Sequence, residues 1–147
     1  MATSAFRVYN SAKKHLLAGE IALDTAIIKA GLFGGTAVSD YTLSVLTSAT
    51  VSASGGGYGA KTLAGVSVTL ATSVVTFDAT DLSWSAAASA IDSIKYLVLY
   101  TSGASAGNSY LIGWVHLTDT AFTLATGNKL TITWNASGIF TLTGGTT

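Results

Sequence analysis

Alternation of apolar and polar residues is the feature of this sequence that most restricts its fold. Residues 66–70 (VSVTL) and 130–134 (LTITW) alternate with a period of two, which predicts strands with one buried and one exposed face. Residues 95–100 and 110–117 form nearly continuous apolar runs, which are typical of strands covered on both faces. These four segments predict a mainly β protein.

Shorter segments extend the strand pattern. Further strands are expected at residues 25–33, 74–77, 82–84 and 139–143. Segments rich in Gly, Asn, Ser or Thr predict hairpin loops between consecutive strands at residues 102–108, 126–128 and 135–138. Strands that follow one another so closely are typical of antiparallel sheets. We therefore expect a single antiparallel β-sandwich or barrel-like domain over residues 1–147.

One stretch near the N-terminus predicts a helix. Asn10 or Ser11 is expected to cap residues 12–18, and Gly19 is expected to end them. A helix of about two turns is not stable by itself, so we expect it to pack on the β domain. Residues 40–49 also allow a second short helix.

The segment of lowest complexity covers residues 50–60 (TVSASGGGYGA) and predicts a flexible loop. Residues 55–62 (GGGYGAKT) nearly match the phosphate-binding pattern G-x-x-x-x-G-K-[ST]. Ala60 stands at the second required glycine, however, and a strand pattern follows instead of a helix, so we expect no nucleotide site. Residues 1–9 are predicted to form a flexible arm, with simple terminal disorder as the alternative.

Charged residues are scarce in this chain. They make up 10% of it, against roughly 25% in a typical soluble domain, and 7 basic residues balance 7 acidic ones. Binding to nucleic acid or to a membrane surface needs a basic excess, so neither partner is expected. No apolar run reaches the roughly 20 residues that cross a bilayer, and the first residues predict no signal peptide. With little charge to keep copies apart we expect self-association, with a Ser- and Thr-covered monomer as the alternative.

Groups suited to catalysis are few. The chain has 0 Cys, and its 2 histidines, His15 and His116, stand in no metal-binding or nucleophile-activating pattern. The closest carboxylate pair, Asp78 and Asp81, is interpreted as a strand end and a turn cap. We therefore expect no enzyme activity, no cofactor and no metal.

Three tryptophans, Trp84, Trp114 and Trp134, fall in segments with a strand pattern. Packing in the core or at an interface is the simpler interpretation of their positions. Aromatic side chains can also form a platform for sugars. A carbohydrate-binding module for host adhesion is therefore an alternative function.

Five segments, spread over most of the chain, carry a resemblance to known proteins. They are residues 9–25 (YNSAKKHLLAGEIALDT), 27–32 (IIKAGL), 77–84 (FDATDLSW), 96–100 (YLVLY) and 130–142 (LTITWNASGIFTL). In this order they are similar to a family of small virion structural proteins of tailed bacteriophages, which open with a short helix and strand and close with a hairpin. The chain departs from that pattern over residues 34–60, where it has fewer charges and more Ser and Gly.

The resemblance implies a capsid decoration (cement) protein that bridges and stabilises subunits of the major capsid protein, with a neck or tail component as the alternative. It places the protein on the capsid surface of a virion after synthesis in the host cytoplasm, and it brings no catalytic residues. By analogy we expect homo-oligomers, as trimers. As contact residues we predict Phe6, Arg7 and Tyr9 in the arm and Tyr58 in the glycine loop.

Overall fold

The computed structural model describes residues 5–35, 38, 42, 53–102 and 109–143. Within these ranges lie thirteen strands and one helix: β1 (Arg7–Val8), α1 (Asn10–Leu17), β2 (Ile28–Phe33), β3 (Ser54–Gly55), β4 (Lys61–Thr62), β5 (Ser67–Ala71), β6 (Val74–Asp78), β7 (Leu82–Ser85), β8 (Ile91–Ile94), β9 (Tyr96–Thr101), β10 (Leu111–His116), β11 (Phe122–Leu124), β12 (Lys129–Ile132) and β13 (Phe140–Thr143). The predicted mainly β fold with a short helix near the N-terminus is therefore confirmed.

Five strands form the central sheet, in the order β1–β10–β9–β2–β4, and each neighbouring pair is antiparallel. The middle strand β9 and its neighbour β10 are buried along almost their whole length. These two strands have continuous apolar sequences because both of their faces are buried, as predicted for residues 95–100 and 110–117.

Two apolar clusters provide that cover. The larger one joins one face of the central sheet to the remaining strands, and its members include Leu32, Leu97, Ile112, Phe77, Trp84 and Ile91. The smaller one lies on the other face, beside α1, and includes Tyr9, Ala12, Val98, Leu111 and Trp114. The arrangement is sandwich-like, with the helix on the outside of the central sheet.

The later strands pair in a nested order. β9 pairs with β10, β8 with β11, β7 with β12 and β6 with β13, and all four pairs are antiparallel. In this connectivity one long antiparallel hairpin is folded over itself. The jelly rolls of viral capsid and lectin domains have the same kind of strand order. The hairpin predicted at residues 102–108 is confirmed, since this segment joins β9 to β10, although residues 103–108 lie outside the described ranges.

The other two predicted hairpin loops are wrong. Residues 126–128 and 135–138 do form tight turns, for example through a hydrogen bond of 2.8 Å from the Gly138 amide to the Asn135 carbonyl. These turns lead from β11 to β12 and from β12 to β13, which pair with β8, β7 and β6 instead of with each other. Turn residues report local backbone shape, whereas the pairing partner depends on distant packing.

The predicted helix is confirmed as α1, with a different first residue. Tyr9 occupies the capping position in place of Asn10 or Ser11, and no side chain caps the first turn. The Asn10 side-chain oxygen accepts a hydrogen bond of 3.2 Å from the Lys13 ammonium instead. Burial of Tyr9 against the central sheet therefore positions the start of this helix.

Gly19 ends α1 as predicted. Its φ of +71° is a left-handed conformation that glycine adopts at little cost. The Glu20 amide donates to the His15 carbonyl at 2.9 Å and the Gly19 amide donates to Leu16 at 3.2 Å, which is the paired arrangement of a Schellman motif. The second predicted helix, at residues 40–49, lies outside the described ranges apart from Thr42.

Candidate functional site

The start of the chain is part of the fold from Arg7 onward. β1 pairs with β10, with Arg7 opposite Trp114 and Val8 opposite Gly113. Tyr9 is only 1% exposed, and its hydroxyl donates a 2.7 Å hydrogen bond to the Val38 carbonyl. The prediction of a flexible arm over residues 1–9 is therefore wrong for residues 7–9, because strand pairing and burial hold them. Residues 1–4 lie outside the described ranges.

Three of the four predicted contact residues are at least partly exposed. Arg7 is exposed, with its guanidinium carbon 5.4 Å from the centre of the Trp114 ring, and Phe6 and Tyr58 are half-buried. Tyr9, by contrast, is enclosed in the smaller cluster. The prediction of Tyr9 as a surface contact is therefore wrong, because its side chain is buried in this cluster.

Tyr58 is half-buried, and its hydroxyl is held by the backbone of β2. Its hydroxyl accepts a 2.7 Å hydrogen bond from the Leu32 amide and lies 3.3 Å from the Leu32 carbonyl, to which it donates. Burial raises the pKa of Tyr58 to about 12. Part of the ring stays exposed, so the contact predicted at Tyr58 stays a prediction.

The glycine segment around Tyr58 is well connected over residues 53–60. Gly55, Gly56 and Gly57 all have positive φ, and the Gly56 amide donates a 2.8 Å hydrogen bond to the Ser89 hydroxyl. A Cβ atom on Gly56 would lie 2.5 Å from the Ser89 carbonyl oxygen. These glycines serve a left-handed turn and a close backbone approach, so the predicted flexible loop is corrected for this part of residues 50–60.

A groove of about 540 Å³ opens between the N-terminal residues, β10, β11, β12 and the turn before β13. Its walls are mainly apolar and include Phe6, Val115, Phe122, Leu130, Ile132 and Trp134. Thr131, Thr133 and Asn135 supply the polar side chains at this surface. None of the lining residues in the described part of the chain is charged, so the groove offers shape and apolar contact.

Trp134 is fixed in the wall of this groove by backbone and side-chain hydrogen bonds. Its indole N–H donates to the Thr80 carbonyl at 3.1 Å, and its amide donates to the Asp81 carboxylate at 3.0 Å. Asp78 ends β6 as predicted, and its carboxylate accepts a 2.9 Å hydrogen bond from the Ala79 amide. Both carboxylates of this pair therefore have structural partners.

Three strands, β13, β6 and β5 in this order, form what we call the overhanging sheet. One of its faces is apolar: Leu70, Val75 and Leu142 stand opposite one another, and Val68, Phe77 and Phe140 form the adjacent row. The other face presents the row Thr69, Thr76 and Thr141. Phe77 is buried in the larger cluster, so the apolar face is the one turned toward the core.

The apolar face continues beyond the core. Leu70 is 72% exposed, Leu142 is 53% exposed and Val68 is 41% exposed. The strand predicted at residues 66–70 is confirmed as β5, but its predicted half-burial is wrong, because all five residues of β5 are exposed. The alternation does separate an apolar face from a polar one, but the core of this chain does not extend to the outer end of the apolar face.

Aromatic contacts join the groove to the overhanging sheet. Phe6, in the groove wall, stacks on Phe140 with ring centres 5.7 Å apart and planes at 7°. Phe140 in turn contacts Phe77, with ring centres 5.1 Å apart. The groove and the apolar face therefore adjoin at the Phe6–Phe140 stack, and together they form the candidate functional site.

The two histidines lie elsewhere in the fold. The His15 imidazole bonds to the Glu20 carboxylate and packs on Tyr110, and His116 lies 3.8 Å from the Asp119 carboxylate. Within the described ranges, no three His, Asp or Glu side chains come together in a way that could hold a metal ion. In the same residues, no helix is both long and apolar enough to cross a membrane.

Fold and site together define a mainly antiparallel β protein with nested strand pairs and an uncharged, partly exposed apolar surface. Comparison of the chain with models of known protein families, with curated proteins and with solved structures found no match. The sequence does not reveal the contact surface, because alternation shows which residues share a face and does not show what covers that face.

Proposed function

We propose that this chain is a structural protein of a bacteriophage particle, a decoration (cement) protein that bridges and stabilises major capsid protein subunits. The observation that carries the proposal is the exposed apolar face of the overhanging sheet, with Leu70 and Leu142 both more than half exposed. Contiguous apolar surface on a soluble domain marks an interaction site, because leaving it in water costs free energy.

The scarcity of charge supports the same proposal. The chain has 7 basic and 7 acidic residues, and the three strands of the overhanging sheet contain one charged residue, Asp78. Neighbouring copies on a crowded shell would repel one another little. The nested strand pairing is also a connectivity that viral shell domains use, although unrelated functions share it.

The first experiment measures the copy number of the chain in purified particles of a phage that encodes it. Quantitative mass spectrometry, normalised to the major capsid protein, gives the ratio. A decoration protein is expected at one copy per capsid subunit or at another simple lattice fraction, since it occupies symmetric positions of the shell.

Two other results would contradict this role. A dozen copies or fewer would move the protein to the neck or tail, where a ring sets the number. Absence from the particle would overturn the virion proposal altogether. Recombinant protein added to shells that lack it provides the control, because a true shell component rebinds at the same ratio.

The carbohydrate-binding alternative now depends on one tryptophan. Trp84 is 2% exposed and Trp114 is 5% exposed, so neither offers a platform to a sugar. Trp134 lines the groove beside Thr131 and Asn135, which is the observation that favours this second candidate. Quenching of tryptophan fluorescence by sugars, and its loss in Trp134→Phe, is the measurement that tests it.

A further inference from the structure

The overhanging sheet is one-sided in a way that indicates a missing partner. Its threonine face is suited to water, whereas the opposite face carries Val68, Leu70 and Leu142 beyond the reach of the core. Scattered apolar residues on a surface need no explanation. Leu70 and Leu142, however, stand opposite Val75 in one row across three paired strands, so they form a single patch.

The groove is the complementary surface. It is concave, has a volume of about 540 Å³ and is lined by apolar side chains such as Phe122, Ile132 and Trp134. A sugar would need several hydrogen-bonding groups; the Trp134 indole N–H already donates to the Thr80 carbonyl, which leaves the few polar side chains at Thr131, Thr133 and Asn135. Aliphatic side chains need only shape and contact, which this groove provides.

We propose that a second copy of this chain covers the site, with the outer end of the overhanging sheet of one copy entering the groove of the other. The inference extends the self-association expected from the scarcity of charge, and it names a neighbouring copy as the occupant of the apolar face on which the proposed function rests. Neither surface contributes a charged side chain at the contact, so identical copies meet without repulsion between like charges.

Position favours the same occupant. The patch and the groove adjoin at the Phe6–Phe140 stack, so a two-fold arrangement, in place of the trimer expected by analogy, lets each copy give its sheet end and receive the other's. The three exposed side chains and the groove together offer less than the roughly 800 Å² per partner that a standard interface buries, so this association should be weak and depend on protein concentration.

The first test changes one residue on each face of β5. Leu70→Lys places a charge where the partner's groove should be, and Thr69→Lys places the same charge on the opposite face of the same strand. By sedimentation equilibrium, the wild-type chain should self-associate, Leu70→Lys should weaken association by about tenfold or more, and Thr69→Lys should stay close to wild type. Circular dichroism checks that both variants are folded.

The second test pairs opposite charges across the proposed contact. Thr133→Glu places a carboxylate at the groove, and this variant by itself should associate more weakly than wild type. An equimolar mixture of Leu70→Lys with Thr133→Glu should recover association, because lysine on one copy then meets glutamate on the other. A mixture of Leu70→Lys with Leu70→Glu should not recover it.

Three results would overturn the inference. The first is a wild-type chain that is monomeric at high micromolar concentration. The second is recovery of association in the mixture of Leu70→Lys with Leu70→Glu but not in the mixture of Leu70→Lys with Thr133→Glu. The third is quenching of Trp134 fluorescence by sugars in the wild-type chain. Copy number on particles is measured separately. A monomeric chain that still decorates shells would therefore reject this inference and leave the shell role in place.

Discussion

At the scale of single residues, Thr72 has a backbone conformation that suits its side chain poorly. It begins the two-residue turn between β5 and β6 and has a φ of +57°, which is unfavourable for a β-branched residue. Such strain costs of order 1–3 kcal/mol. Replacement of Thr72 by glycine removes this strain. Glycine also gives the unfolded chain more conformational freedom, which offsets part of the stability gained. We expect Thr72→Gly to raise the free energy of unfolding by about 1 kcal/mol, measured by urea denaturation.

Ser73, the next residue of the same turn, provides the control. It does not have a positive φ, so glycine relieves no strain there and only adds freedom to the unfolded chain. Ser73→Gly should therefore lower the free energy of unfolding by about 0.5–1 kcal/mol. Equal effects of the two substitutions would contradict the explanation by backbone strain.

The residues of the candidate site show which contacts can be predicted from the sequence and which cannot. Phe6, predicted as a contact residue, does border the groove. The prediction for Tyr9 is wrong, because a terminal position suggests mobility where the fold uses strand pairing and burial. The exposure of Leu70 is not predictable, because it depends on where the core ends, which no local pattern records.

At the scale of elements, the attachment of β1 depends on a glycine in its partner strand. Gly113 lies opposite Val8, and a Cβ atom there would lie 2.6 Å from the Arg7 carbonyl oxygen and would overlap the Phe6 ring. We expect Gly113→Ala to push β1 away from β10 and to cost about 2 kcal/mol of stability, as overpacking does. Hydrogen exchange of the Tyr9 amide, which donates to the Ile112 carbonyl at 3.1 Å, should become faster.

Gly59→Ala is the matched control for this prediction. A Cβ atom on Gly59 would have no neighbouring atom within 4 Å, and the residue has no positive φ, so the added methyl group meets open space. Stability and Tyr9 exchange should both stay near wild type. Unchanged exchange in Gly113→Ala would show that β1 tolerates the extra atom.

Strand positions are largely predictable from this sequence, and strand partners are not. Period-two alternation and apolar runs locate β5, β9, β10 and β12, because the pleat alternates its side chains locally. The pairing of β7 with β12 joins residues about forty-five positions apart, as in Leu130 opposite Trp84. Such a pair is selected by packing of the whole core, so two good turn signals predict hairpins that do not form.

At the scale of the whole molecule, stability should fall at alkaline pH. Burial raises the pKa of Tyr58 from its ordinary value of 10.0 to about 12, and it also raises the pKa of Tyr100. The unfolded chain therefore loses these phenolic protons at lower pH than the folded chain does. The free energy of unfolding decreases as pH rises from about 10 to about 12, and the contribution is fully present below about 10.

Denaturation curves recorded across that pH range test the prediction. Tyr58→Phe should remove part of the pH dependence, whatever its effect on stability at neutral pH. An unchanged slope in Tyr58→Phe would assign the alkaline loss to other groups.

The nested strand pairs also set an order in time. The innermost pair, β9 with β10, closes the shortest loop, and each pair outward encloses more chain, up to β6 with β13. Closing longer loops costs more entropy and slows folding, so we expect assembly to proceed from the inside outward. The β5–β6 hairpin has a two-residue turn and can form early, so the last step is the addition of β13, which completes the overhanging sheet. A newly made chain would then complete the apolar row of Leu70 and Leu142 only after the rest had folded, which limits aggregation during synthesis.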